Sequence, residues 1–510
     1  MKKSLGLTLG AALTAFIISA MGLSADNKPY WPKDGWRTST PEAQGFDSAK
    51  LAEVFDFVKA NDTQIHSLLI IRNGFVVLDA YFFPYGRDLV HDVASITKSV
   101  TSTLIGIALD KGFIKDVTQP VLDFFPGYTP ANLNEWKRKL TIENLLTMTS
   151  GLCRDYQSGE AQLIRMRLAE DWAKFMLDLP LVSEPGRRFA YCSGASQILS
   201  AIVTKAAGEN ELDFARKYLF GPLGIQDVYW PMSPAGDNTG WGDFFIKPHD
   251  LAKIGYLFLK EGRWGDLQII SKRWVQEATR ERVTPDEGTG YGYRWWMPKD
   301  QPGLYEGRGR GGQRLSIWPQ MNLVAVFSGS GFEPGDIGRI VGAAYKSEDP
   351  LPENKEAQAV LQRKIDEAAQ APRPQAVPPL PAVAKTISGK IFVFDPNSTG
   401  LRLFALTFPG GAEARLRIVY SDPLSRDSGD NESRVGLDGV YRISNTSRFH
   451  LPLGARGGWL SDSEFECVLD EAANNHIYRI RIRFEGDRAS FRIAENTGTL
   501  EADLTASARK

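Results

Sequence analysis

Ser95-Ile96-Thr97-Lys98 is the stretch on which the reading of this chain turns. Serine and lysine three residues apart are a weak signal alone, and a second copy, Ser507-Ala508-Arg509-Lys510, stands at the C-terminal tail, where a frayed end is expected. Context separates the two. Val93 and Ala94 lead into Ser95, and Val100, Leu104, Ile107 and Ala108 recur behind it at helical spacing. The spacing predicts Ser95 on the first turn of a buried helix, with Lys98 one turn on along the same face. An amine then lies within reach of a hydroxyl at the positive end of a helix, where developing negative charge is stabilised.

Lys2 and Lys3 precede an apolar stretch from Leu5 to Ile18, and small residues follow at Ser19-Ala20 and Ser24-Ala25. This order of charged, apolar and small residues predicts a secretory signal peptide over 1–25, with an uncleaved N-terminal anchor as the alternative. The apolar stretch is short for a membrane span and no later segment reaches the roughly 18 apolar residues a span needs, so no stable membrane insertion is expected after cleavage. The expected location is periplasmic or secreted, and no cysteine near the cut suggests a lipid anchor. Lys plus Arg number 60 against 61 Asp plus Glu, which leaves no excess charge for nucleic acid or an anionic membrane. Cys153, Cys192 and Cys467 lack metal-ligand spacing and are too few for a disulfide framework. Cys153 and Cys192 flank expected site loops. Two unpaired, partly buried thiols are expected there, a bridge between them being the alternative. His66, His91, His249, His450 and His476 form no metal-binding pattern, so no metal and no other cofactor is expected.

Asp47 is placed to cap a helix that puts Leu51, Val54, Phe55 and Val58 on one face. Two strands are expected next, Ser67 to Ile71 and Phe75 to Tyr81, joined at Asn73-Gly74, the pair favoured in a type I′ hairpin turn. From Ser95 to Trp274 the pattern is mainly helical. Strand signals return over Tyr291 to Met297 and Leu315 to Val326, and a short helix is expected over Ile337 to Tyr345. The expected fold class is α/β: an antiparallel sheet flanked by helices, with an inserted all-α subdomain and a cleft between the two. Beyond Pro350, Glu353 to Gln370 is expected as a charged surface helix, and the proline-rich Ala371 to Ala384 as a stiff extended spacer. The remainder alternates with period two. Tyr478, Ile480, Ile482 and Phe484 share one face and Arg479, Arg481 and Arg483 the other, so an all-β sandwich or barrel is expected. The arginine stripe is expected to be a solvated face, with anion binding as the alternative.

From Pro41 to Tyr345 the chain resembles the serine β-lactamase-like superfamily: class C β-lactamases, DD-peptidases, and related esterases and 6-aminohexanoate-oligomer amidases. The matching segments occur in order. They are Ser95-Ile96-Thr97-Lys98, Leu145 to Leu152, Pro185-Gly186, Phe189 to Ser193, Pro222 to Ile225, Asp250 to Gly255, and Tyr291-Gly292-Tyr293 with Trp295-Trp296. Gly309-Arg310-Gly311-Gly312-Gln313 leans toward the amidase and esterase branch. The resemblance implies a β-lactamase/DD-peptidase-like hydrolase domain over 26–350; composition and alternation set the linker over 351–385 and the all-β domain over 386–510.

Acyl transfer needs a nucleophile, a group to take its proton, and donors for the oxyanion. The resemblance makes Ser95 the nucleophile and Lys98, once burial lowers its pKa, the acceptor of its proton. Tyr191 shares protons with that pair and helps protonate the leaving group. Its bland alternative is a core tyrosine. Ser193 stands where relatives carry Asn or Ser, and in an extended segment it points the same way as Tyr191. The third motif departs from the best-known relatives, which place Lys or His, then Thr or Ser, then Gly. Here the alignment sets Gly307-Arg308-Gly309 in that place, and the backbone N–H of Arg310 completes an oxyanion hole with that of Ser95. The missing Lys or His weakens recognition of a β-lactam carboxylate, unless Arg308 or Arg310 substitutes. Gly309 and Gly311 let backbone approach substrate. Gly307-x-Gly309-x-x-Gly312 also matches a dinucleotide fingerprint, dismissed for want of the flanking strand and helix. Tyr156, Asp171 and Trp172 are candidates to line the pocket, against ordinary surface and core roles. The expected partner is a small amide or ester. A cell-wall DD-peptidase or β-lactamase, or a non-catalytic binding protein on the same fold, are the rivals.

Overall fold

Ile65–Arg72, eight consecutive buried residues, runs through the middle of the larger sheet. A strand buried on both faces has no reason to alternate. Leu68 and Ile70 meet Leu51 and Val54 of the Ser48–Ala60 helix, Ile337 and Val341 of the Gly335–Ala344 helix, and Leu361 of the Lys355–Ala368 helix. Leu69 and Ile71 join the other core, with Val100 and Leu104 of the Thr97–Asp110 helix and Ile254 and Leu257 of the Pro248–Leu259 helix. The computed structural model describes residues 30–422, 427–444 and 451–509. The expected signal peptide lies outside the described residues.

Asp47 caps its helix as expected, accepting from the N–H groups of Ala49 and Lys50. Phe75–Tyr81 returns against Ile65–Arg72 through Asn73 and Gly74, whose φ values of 53° and 77° are the left-handed pair that a type I′ turn requires. On the other side lie Leu323–Gly329, Gln313–Trp318, Tyr305–Gly309, Trp296–Pro298, Thr289–Tyr291 and Val283–Asp286, all antiparallel, and Arg37–Thr38 completes a nine-stranded sheet at the far edge. The helical insertion fills the chain between Ser95 and Ala278, broken only by short strands.

Two expected strands are each divided. Leu315 to Val326 is two strands that turn at Pro319–Met321. Tyr291 to Met297 breaks at a turn in which Arg294 has φ 70°, and Tyr293, Arg294 and Trp295 are buried there. The hydroxyls of Ser99 and Ser102 donate to the carbonyls of Arg294 and Tyr293, each at 2.8 Å. The apolar run belongs to a turn packed beneath the Ser95 helix, which periodicity alone cannot tell from a strand.

The C-terminal domain is a barrel. Ten strands pair around it, its first, Ile391–Phe394, lying beside its last, Glu501–Ala508, and the parallel pair Gly436 with Arg456 closes Asp427–Gly436 onto Leu453–Trp459. Phe392, Phe404, Phe465, Ile480, Ile482, Phe484 and Phe491 fill its interior. The arginine stripe is a solvated face: Arg479 and Arg481 pair with Glu466 at 2.6 and 2.9 Å. The second serine-lysine copy is no frayed end, since Ser507 sits in the barrel strand Glu501–Ala508. The spacer is shorter than expected, because Ala382–Ile387 is a helix. Val377 and Leu380 of the proline-rich stretch pack on the barrel core. The Lys355–Ala368 helix is charged but one-sided, with Ala357 and Leu361 buried.

The barrel is not independent of the sheet domain. Its Ala472, Ala473, Asn474 and Asn475 are buried, and Ala473 packs with Tyr81 and Tyr85. The Asp92 N–H donates to the Ala473 carbonyl at 2.9 Å, and the Ser330 hydroxyl to the Asn475 carbonyl at 2.8 Å. His66 and His91, 2.8 Å apart, are buried beside Asp470 of the barrel. A stiff spacer alone would let the barrel stand apart, but these buried contacts tie it to the sheet domain.

Candidate active site

The segment before the Ser95 helix is held from several sides. His91–Asp92 pairs with Phe245–Ile246, and the Val93 N–H donates to the Phe244 carbonyl at 2.9 Å. Ala94 is left-handed at φ 47°, an uncommon conformation outside glycine. Its N–H donates to Asp92 Oδ1 at 2.8 Å, and its carbonyl accepts from Thr97 Oγ1 at 2.6 Å. Ser95 follows in the 3₁₀ turn Ala94–Ile96, which feeds the Thr97–Asp110 helix.

Lys98 is 2% exposed, and its Nζ reaches Ser95 Oγ at 2.8 Å and the Trp241 carbonyl at 2.7 Å. Burial strips water from the ammonium and brings its pKa down to about 7. Glu160 and Asp243 oppose the shift, while Arg294 and Arg310 add to it. In the neutral state the amine can donate to Trp241 and accept the Ser95 proton. Nζ also lies 4.9 Å from the centre of the Tyr191 ring. Burial, with Tyr291 adding to it, pushes the Tyr191 phenol well above the usual tyrosine range, although the Ser95 hydroxyl bonded to it pulls the other way. Near neutrality Tyr191 is therefore a donor, and Lys98 the group able to act as base.

The strand Tyr305–Gly309 runs along the Ser95 turn. A Cβ on Gly309 would stand 2.5 Å from the Val93 carbonyl oxygen, so only glycine permits this approach. Arg310 opens a 3₁₀ turn, and its guanidinium donates to Asn475 Oδ1 at 3.3 Å and meets His476 Nε2 at 3.4 Å. Gly311 has φ 82°, and a Cβ there would stand 2.8 Å from the Cβ of Asn475. Arg308 pairs with Glu306 at 2.8 Å and lies over Trp296. Gly312 leads into a strand, which disposes of the dinucleotide reading.

Ser193 departs from expectation. It opens the Ser193–Ala207 helix, so alternation along a strand does not apply, and its hydroxyl donates to Glu160 Oε1 at 3.4 Å. Tyr156 is 55% exposed, with its ring 6.0 Å from that of Tyr191, and the Trp296 ring stacks on Tyr191 at 6.0 Å. Asp171 and Trp172 take the ordinary roles: the first caps a helix and the second is buried in the core. Cys153 and Cys192 form a disulfide, which corrects the expected free thiols. It ties the residue after Tyr191 to the loop before the Tyr156 helix.

Sequence reading missed Trp241, Glu160, Asp243, Arg294, Asp92 and Asn475. Glu160 lies four residues after Tyr156 on the same helical face, a signal that was open to reading. Asp92 stands three residues before Ser95, and the others come from distant turns and from another domain. Fold and constellation together define a β-lactamase-related serine hydrolase. A family model described as Beta-lactamase matches residues 56–345, more than half of the chain, and the protein belongs to that family. It is 25% identical over 289 residues to 6-aminohexanoate-dimer hydrolase of Paenarthrobacter ureafaciens, covering 52% of this chain and 73% of that one. With the D-alanyl-D-alanine-carboxypeptidase/endopeptidase AmpH of Escherichia coli (strain K12), identity is 28% over 273 residues, covering 47% and 70%. The octameric penicillin-binding protein homologue from Pyrococcus abyssi shares the fold with TM-score 0.50 and 18% identity, over 90% of this chain and 100% of that one.

Proposed function

We propose that the protein is an exported hydrolase that cleaves small amides or esters through an acyl-enzyme on Ser95. The observation that carries this is the 2.8 Å approach of a buried Lys98 amine, its pKa brought down to about 7, to the Ser95 hydroxyl. The neutral amine takes the Ser95 proton as Oγ bonds to the substrate carbonyl carbon. The oxyanion is held by the N–H groups of Ser95 and Arg310. Tyr191 passes a proton to the leaving nitrogen or oxygen and is reprotonated by Lys98 as that bond breaks. Water then attacks the acyl-enzyme by the same route, releasing the acid and restoring Ser95.

Ser193, Tyr156, Gly309 and Gly311 border the cleft in this reading, and Tyr156 with Trp296 offers aromatic faces to a substrate chain. The names of both curated relatives support a hydrolase. Export is supported by the disulfide, a bond that persists in oxidising compartments. The test is a fluorophosphonate probe read by mass spectrometry, with turnover of a p-nitrophenyl ester and of nitrocefin. The adduct is expected on Ser95, and Ser95→Ala is expected to lower turnover by roughly a thousandfold or more. The ester is expected to be the better substrate, since no Lys or His stands in the third motif to hold a β-lactam carboxylate. An adduct elsewhere sinks the mechanism. A dominant nitrocefin rate reverses the preference.

A further inference from the structure

We propose that Asn475, supplied by the C-terminal barrel, is a positioning residue for catalysis, holding the Ser95 turn and the Arg310 turn in register. This rests on the acyl-enzyme reading above. Asn475 is 0% exposed, and its two amide atoms are divided between the two halves of the site. Nδ2 donates to Asp92 Oδ2 at 2.6 Å, and Oδ1 accepts from the Arg310 guanidinium at 3.3 Å.

Each end of this bridge bears on an oxyanion donor. Asp92 uses its other oxygen to hold the N–H of left-handed Ala94, the residue before Ser95. Loss of the Asn475 donor removes one of the bonds that orient that carboxylate, and Ala94 then has less to keep it in a conformation that alanine disfavours. Relaxation there would rotate the Ser95 N–H. At the other end, Arg310 is exposed on a glycine-flanked turn with little side-chain packing, and its contacts in the barrel limit its motion. His476 adds to this. Its Nδ1 lies 3.0 Å from Glu495 Oε1. Burial opposes ionisation of Glu495, yet hydrogen bonds from His476, Thr499 and Thr497 bring its pKa down to about 2. The ionised carboxylate accepts a hydrogen bond from Nδ1, which turns the Nε2 edge of the ring toward the Arg310 guanidinium. Gly311 has no Cβ, which is what allows the Asn475 loop to close on the turn.

The experiment uses the full chain, titrating active sites with the fluorophosphonate and following p-nitrophenyl butyrate hydrolysis per labelled site. Asn475→Ala is expected to lower kcat by about a hundredfold, the scale of losing one oxyanion donor, with KM changed less than about threefold. Asn475→Asp keeps the shape and an acceptor for Arg310 but sets a second carboxyl against Asp92, with Arg310 and His476 beside it. Its turnover relative to the native enzyme is expected to rise as pH falls, because the carboxyl pair then shares one proton and regains a donor. If Asn475→Ala does not fold, this pH-dependent ratio decides. An Asn475→Ala enzyme with kcat and acylation rate within about twofold of native overturns the proposal. So does a loss confined to the labelled fraction, or a flat ratio for Asn475→Asp. A native enzyme unlabelled at Ser95 would instead sink the acyl-enzyme reading, and this inference with it.

Discussion

Lys98 carries the sharpest consequences at the level of single residues. If the neutral amine is the base, kcat/KM rises with pH through a limb centred near 7, where Lys98 loses its proton. Glu160 favours the ammonium, so Glu160→Gln is expected to move that limb to lower pH, and a full pH–rate profile checks the direction. Lys98→Arg keeps the charge but cannot release a proton near neutrality, so its loss is expected to approach that of Lys98→Ala. Arginine retaining most of the turnover would show that charge alone suffices. Ser95 and Lys98 were legible because three residues along a helix fix their juxtaposition in sequence. The Trp241 carbonyl that orients the amine was not legible, because a backbone acceptor brought from a distant loop leaves no mark on the sequence.

Among elements, what could be read was what is locally encoded. The Asn73-Gly74 hairpin and the Asp47 cap follow from backbone preferences of the residues themselves. Ser193 misled because a helix begins there, and Tyr291 to Met297 because burial in a turn makes the same apolar pattern as a strand. The Cys153–Cys192 bond was equally hidden, since three cysteines permit several states and only the fold brings these two together. It spans 39 residues, and cross-linking a loop of that length removes unfolded-state entropy worth about 4 kcal/mol. Replacing both cysteines with serine is expected to lower stability by up to that amount, read as a shift in urea midpoint. Reductant should then shift the native protein but not the variant. Because Cys192 follows Tyr191, turnover is expected to fall as well, even well below the unfolding transition.

For the whole molecule, composition and the proline-rich stretch rightly separate two architectures but overstate their independence. Proline fixes the local backbone and says nothing of what the following domain rests on. The polar residues that join the units, Asn475 and His476, look like ordinary turn residues until the barrel folds them inward. A protein ending at Ala371 is accordingly expected to lose more than about a hundredfold in turnover, ~2.7 kcal/mol of transition-state stabilisation, or to remain insoluble. A soluble, monodisperse truncated protein with native turnover would show that the buried contacts are dispensable.

The bond from Asp92 to Asn475 joins residues 383 apart in sequence. Contacts between such remote positions form late, after the intervening chain has found its own structure. The site is therefore expected to be completed last. In refolding from denaturant, tryptophan burial is expected to precede reactivity toward the fluorophosphonate, with a lag set by docking of the barrel. A chain whose final strands have not yet docked is expected to be inert even with Ser95 and Lys98 already side by side on their helical turn.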